Sequence, residues 1–107
     1  MKTIMVRYKT SEASAGANAA LVRTVFEELR TQAPAGFRYA CYRLPDEVTF
    51  VHVATLDSEV NPLSTLPAFK AFQAQHKERC LEPPVVTEVA LVGSYGFGDV
   101  AHSGAPG

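Results

Sequence analysis

Residues capable of acid–base chemistry gather in one stretch, Phe37 to Leu56, FRYACYRLPDEVTFVHVATL, which holds Tyr39, Cys41 and His52. Two β-rich runs flank Leu44-Pro45-Asp46-Glu47, so the stretch reads as an antiparallel hairpin. With Pro45 and Asp46 as the tip, Arg43 pairs with Val48, Cys41 with Phe50, and Tyr39 with His52. Cross-strand partners share a face, so Tyr39, Cys41, Phe50 and His52 line one side. The other side carries Ala40, Val51 and Val53, a small aliphatic set suited to helices. An imidazole titrates near neutral pH, so His52 in a cavity could take a proton from a phenolic ligand. The plainer reading is a buried neutral histidine bonded to Tyr39 or to backbone. Arg7, on the corresponding face of the first strand, could hold a developing phenolate or enolate, or simply be solvated. Tyr39 orients a ligand through its hydroxyl, or packs with that hydroxyl satisfied elsewhere.

Two further pairs carry weaker signals. Cys41 beside His52 has the types of a nucleophile and its base, but no third orienting group accompanies them. His76 and Cys80 stand four apart and supply at most half a metal site, with no further ligands at metal-like spacing. Glycines between Gly93 and Gly98 follow no phosphate-loop pattern.

The chain's 107 residues suffice for one compact domain. Net charge is −1 with both signs interspersed, which leaves no basic footprint for nucleic acid and no polybasic segment for a membrane surface. No apolar run approaches the roughly 20 residues of a membrane span. The first residues, MKTIMVRYKT, interleave charge with apolar side chains and lack a signal-peptide pattern, so a cytoplasmic location is expected. Cys41 and Cys80 are then free thiols.

Elements that could position these groups follow from periodicity. Thr3 to Lys9 alternates, with Ile4, Val6 and Tyr8 on one face and Met5 and Arg7 on the other. From Asn18 onward Leu21, Val22, Val25, Phe26 and Leu29 recur at helical spacing, and Pro34 and Gly36 end that helix. The hairpin comes next. A second helix, capped at Thr65, carries Leu66, Phe69, Phe72 and His76 inward and ends at Pro83 and Pro84. Val85 to Tyr95 reads as a long last strand, so that the domain spans 1–95. Residues 96–107, including His102, read as a tail.

The order β-α-β-β-α-β with right-handed crossovers is the ferredoxin-like α+β fold, a four-stranded antiparallel sheet with both helices on one face. Its other face would carry Met5, Phe37, Tyr39, Phe50 and one side of the last strand. Nothing else in the chain covers such a patch, so a homodimer with the sheets face to face is expected.

With these elements in place the chain resembles the dimeric α/β-barrel superfamily, in its antibiotic-biosynthesis-monooxygenase-like branch. The residues that carry the resemblance are Gly36-Phe37, Phe50-Val51-His52-Val53, Asp57-Ser58-Glu59 and Pro67-Ala68-Phe69-Lys70-Ala71-Phe72. It implies a cavity between helices and barrel or inside the barrel. It also implies cofactor-independent oxygenation of quinol-type aromatics, while relatives of the same fold degrade haem or cyclise polyketides. Where oxygenases of the branch usually end the third strand with tryptophan, this chain has Leu56. The polar position four residues earlier is His52. The helix-two position that ligates haem iron in other relatives matches Gln73, with His76 one turn on.

The expected site has His52 and Arg7 as catalytic groups, lined by Tyr39, Phe50, Cys41, Phe37, Met5 and His76. Two functions remain open at this point. One is a cofactor-independent enzyme acting on an aromatic or polyketide-type substrate, with no metal or cofactor. The other is a non-catalytic dimeric barrel that binds a small hydrophobic ligand or serves a structural role.

Overall fold

The computed structural model describes residues 1–97. Strand β1 (Lys2–Thr10) leads into helix α1 (Glu12–Gln32), then strands β2 (Phe37–Arg43) and β3 (Thr49–Leu56). A 3₁₀ turn (Pro62–Thr65), short helices α2 (Pro67–Gln73) and α3 (His76–Arg79), and strand β4 (Cys80–Val89) complete the order. The strands form one antiparallel sheet in the order β2-β3-β1-β4, the expected ferredoxin-like α+β arrangement. Of the tail expected over 96–107, only Gly96 and Phe97 fall among the described residues, and His102 lies outside them.

Local chemistry sets the element ends. Ser11 caps α1 by accepting the Ser14 amide at 3.2 Å. Its far end closes on Ala33, left-handed at φ 45° and bonded back to Leu29. Gly36 turns the chain into β2 at φ 69°, where a Cβ would approach that of Asp57 to 3.1 Å. Helix α2 has no cap of its own. The Glu28 carboxylate of α1 instead accepts the Ala68 amide at 3.0 Å, which docks α2 against α1.

Three expectations change. The hairpin register is displaced by two residues: Cys41 pairs with His52, Tyr39 with Ala54 and Arg43 with Phe50. The cause is a wider turn. Asp46 accepts the Val48 and Thr49 amides, and Glu47 sits at φ 66°. An even displacement keeps every side chain on its face, so Tyr39, Cys41, Phe50 and His52 still share one.

That shared face is the one the helices cover, which reverses the expected sides. Tyr8, Phe50, His52, Ala54 and Leu56 are buried, and Phe50 stacks on Tyr8 at 5.5 Å in the core with Val22, Val25 and Phe72. Phe37 and Tyr39 pack against this core. The expected interface set is therefore split, because Phe37, Tyr39 and Phe50 belong to the helix side. Met5 remains on the open face, in register with Val53 and Thr87, and Ala40 lies beside Val53. The aromatic set won the helices because it offers far more apolar area to bury.

The second helix is also shorter than its pattern. It breaks at Gln75, left-handed at φ 63°, and β4 runs Cys80–Val89 rather than from Val85 to Tyr95. Pro83 and Pro84 lie inside this strand, as the two residues opposite Tyr8 where the register slips between Arg7/Val85 and Lys9/Glu82. An edge-strand bulge is where prolines fit a sheet, since no ladder bond needs their missing N–H.

Candidate functional site

Strands β1 and β3 and helix α2 enclose a cavity of about 240 Å³ on the helix side of the sheet. Tyr8, Tyr39, His52, Phe72, Gln73 and His76 line it, with Pro84 and Val86 of β4 at one margin. His52 is only 5 % exposed and sits at the centre of a polar cluster. Its Nε2 lies 2.8 Å from the Tyr8 hydroxyl and 3.4 Å from the Cys41 sulfur, and its Nδ1 lies 2.5 Å from the Tyr39 hydroxyl. The register accounts for this grouping. Cys41, His52 and Val6 are cross-strand neighbours, and Tyr8 and Tyr39 reach His52 from the two adjoining rows.

The cluster continues into the helices. Asn18 of α1, fully buried, donates through Nδ2 to the Tyr8 hydroxyl at 2.8 Å. Arg79 of α3 donates through Nε to Asn18 Oδ1 at 3.1 Å, and through Nη1 and Nη2 to the carbonyls of Ala74 and Phe72 at 3.2 and 2.6 Å. Its guanidinium also lies over the Phe72 ring, 5.4 Å from the centroid. A 9 % exposed cation is thus held by neutral acceptors, and it closes the break between α2 and α3. One chain of contacts, Arg79–Asn18–Tyr8–His52–Tyr39, crosses the core from α3 to β2.

Burial governs the electrostatics. It pushes His52 from the usual 6.5 down to about 4, with a smaller contribution from His76, so the imidazole is neutral at pH 7. It raises both Tyr8 and Tyr39 well above the ordinary phenol value. It pushes the Cys41 thiol up to about 11, so this sulfur is protonated at neutral pH and is not an activated nucleophile beside His52. His76, edge-on to Tyr8 at 4.4 Å, is also lowered by burial and by Arg79. Its ring lies 3.6 Å from the Cys80 sulfur, and among the described residues no three metal-binding side chains gather.

The structure unites part of the expected site. His52, Tyr39 and His76 line the helix-side cavity, and Cys41 and Phe50 stand on the same sheet face. Phe37 stacks on Tyr39 at 5.8 Å and reaches a neighbouring hollow of about 230 Å³ with Phe26 and Arg30. Arg7 and Met5 are not with them. Alternation in β1 puts both on the open face, Arg7 paired with Val51 and Val85, so the sheet separates Arg7 from His52. That face has its own groove of about 560 Å³, lined by Arg38, Ala40, Tyr42, Val53, Thr55 and the stretch from Val89 to Ser94.

Sequence reasoning missed Tyr8, Asn18 and Arg79. Asn18 was findable, because it falls three after Ala15 and four before Val22 on the inward stripe of α1. A polar residue on such a stripe must find a buried partner. Arg79 carried no signal, since it lies among Lys77 and Glu78 in what reads as a solvated helix end.

No family model matches this chain, and no curated protein does so by sequence. Solved structures do. Rv0793 from Mycobacterium tuberculosis is similar at 23 % identity and TM-score 0.69, over 87 % of this chain and 96 % of that one. A crystal structure described as an antibiotic biosynthesis monooxygenase matches at 14 % identity and TM-score 0.71, over 87 % of this chain and all of that one. SnoaB, a cofactor-independent oxygenase from Streptomyces nogalater, matches at 12 % identity and TM-score 0.64, over 89 % and 96 %. At such identities the likeness is one of fold.

Proposed function

We propose, from the fold this chain shares with antibiotic-biosynthesis-monooxygenase-like proteins of the ferredoxin-like superfamily, that it is a cofactor-independent monooxygenase-type enzyme. Its substrate class is a quinol or aromatic polyketide-type ring, held in the helix-side cavity. The observation that carries this reading is a polar cluster built around one histidine on the wall of an otherwise aromatic and aliphatic cavity. Such sites combine apolar burial with a few convergent polar groups. The overall change would be R₂CH₂ + O₂ → R₂C=O + H₂O. The substrate's own electrons reduce dioxygen after its C–H proton leaves, and the intermediate peroxide loses water.

In this reading His52 is a poor base toward a neutral ligand, because burial holds it near 4. It becomes a better proton acceptor as negative charge develops beside it, since an adjacent anion favours imidazolium. The cluster thus couples proton uptake to formation of the enolate rather than to binding. Dioxygen uptake with an anthrone, whose ring methylene is the R₂CH₂ of this change, measured polarographically, is expected for the wild type and at least 100-fold slower for His52→Ala with its melting temperature still above assay temperature. Equal uptake by both proteins would exclude the role given to His52.

A second reading, a non-catalytic ligand-binding barrel, is favoured by one observation. Both ring nitrogens of His52 already have partners inside the protein, as in a satisfied core histidine. Ligand binding without dioxygen uptake would select it.

Either reading includes a homodimer formed through the open sheet face. Met5, Tyr42 and Val85 are exposed there, and beyond β4 the residues Val92 and Tyr95 are 101 % and 94 % exposed. Such an apolar surface fits a partner sheet and buries more than the roughly 1,200 Å² of weak contacts. Sedimentation is expected to give a dimer at micromolar concentration, and a monomer there would refute this assembly.

A further inference from the structure

The chain Arg79–Asn18–Tyr8–His52–Tyr39 has a direction, and hydrogen-bond inventory fixes it. A guanidinium has donors and no acceptor, so the atom of Asn18 facing Arg79 must be the carbonyl oxygen. The Asn18 amide nitrogen then faces the Tyr8 hydroxyl and donates to it. Tyr8 is 2 % exposed, and among the described residues the partners of its hydroxyl are Asn18 and His52 Nε2. Having accepted from Asn18, the hydroxyl keeps one proton, and the acceptor for it is Nε2. The reverse polarity would leave the Tyr8 hydrogen buried without an acceptor, the costly arrangement in a protein interior. Neutral His52 therefore carries its proton on Nδ1 and donates it to the Tyr39 oxygen. Among the described residues the Tyr39 hydroxyl has no other hydrogen-bond partner, so its own hydrogen is uncommitted. Tyr39 lines the cavity with His52.

We propose that Tyr39 is the site's hydrogen-bond donor to ligand, oriented from α3 by Arg79 through three intervening side chains, and that the cavity selects aromatic ligands carrying a carbonyl-type acceptor oxygen. Tyr39 is in position to touch the ligand, whereas Tyr8, Asn18 and Arg79 are positioning residues. The ring of Tyr39 is fixed for this task by stacking on Phe26 at 4.9 Å and Phe37 at 5.8 Å, which leaves the hydroxyl little freedom to turn away. The same donor would meet the ketone product, or the enolate oxygen that precedes it, so the inference deepens the reading above and rests on it.

The ligand-free protein offers the first test. Nitrogen-15 shifts of the His52 ring at pH 7 should show a protonated Nδ1 and an unprotonated Nε2. The opposite tautomer would overturn the direction of the chain. In Arg79→Met, provided it remains folded, the tautomer preference should weaken or mix, while a merely structural Arg79 would leave it unchanged. The second test uses three probes of similar size: 1-tetralone with an acceptor oxygen, tetralin with none, and 1-naphthol with a hydroxyl. Wild type should bind 1-tetralone about five- to tenfold more tightly than tetralin, the worth of one added hydrogen bond. Tyr39→Phe should erase that preference and leave tetralin affinity unchanged. A preference for 1-tetralone that survives Tyr39→Phe, or equal binding of 1-tetralone and tetralin to wild type, overturns the inference while leaving the cavity as the ligand site. No binding of any probe overturns the cavity reading and this inference together.

Discussion

Arg79→Ala is expected to lower the unfolding free energy by about 3 kcal/mol or more, although the residue stands in a charged stretch that looks like surface. Three buried or part-buried acceptors lose their donor at once: Asn18 Oδ1, the Phe72 carbonyl and the Ala74 carbonyl. Leaving one buried polar group unmatched costs about 1–3 kcal/mol. The cation's contact with the Phe72 ring is lost as well. Arg79→Lys should recover only part of the loss, because an ammonium cannot span the three acceptors with a planar fork. Lys77→Ala, two residues away and exposed, should stay within about 0.5 kcal/mol of wild type. Urea denaturation of the three variants checks this, and a loss below about 1 kcal/mol for Arg79→Ala would show that water replaces the guanidinium without penalty.

The second large effect is one of pH. His52 titrates near 6.5 in the unfolded chain and at about 4 in the folded protein, so between those values the unfolded state binds the proton first. Stability from this group is fully present above pH 6.5 and is lost as pH falls toward 4. The loss is about 3 kcal/mol. His76, lowered by burial and by Arg79, contributes with the same sign. Asp46 acts only further into acid, because its carboxylate, held by the Thr49 hydroxyl and two amides, lies below the ordinary 3.8. Urea midpoints at pH 7, 5.5 and 4 should therefore fall steeply for wild type and much less for His52→Phe. Parallel curves for the two proteins would mean that His52 is hydrated when folded.

How much of this was legible in the chain depends on what each signal encodes. Alternation in β2 and β3 says which residues share a face, and Tyr39, Cys41, Phe50 and His52 do share one. It does not say which face the helices cover when both are apolar, and here Val51 and Val53 oppose Phe50 and Ala54. The reversal follows from that symmetry, and it separates Arg7 from the site. The register slipped because the Asp46 side chain builds a wider turn than a two-residue tip. Gln75 breaks the second helix in a left-handed conformation that neither glycine nor asparagine announces. Pro83 and Pro84 read as helix terminators but serve as an edge-strand bulge. The element order, the ferredoxin-like α+β fold and the grouping of Tyr39, Cys41 and His52 on one sheet face were readable. Burial of Arg79 arises only from tertiary packing.

The central claim is that ligand binds on the helix side of the sheet, around His52 and Tyr39, rather than in the larger groove on the open face. Intermolecular nuclear Overhauser effects between bound 1-tetralone and the protein test it most directly. The account predicts contacts from the ligand to the rings of Tyr39, Phe72 and His76. Contacts to Ala40, Tyr42 and Val53 instead would put the ligand on the opposite face and contradict it.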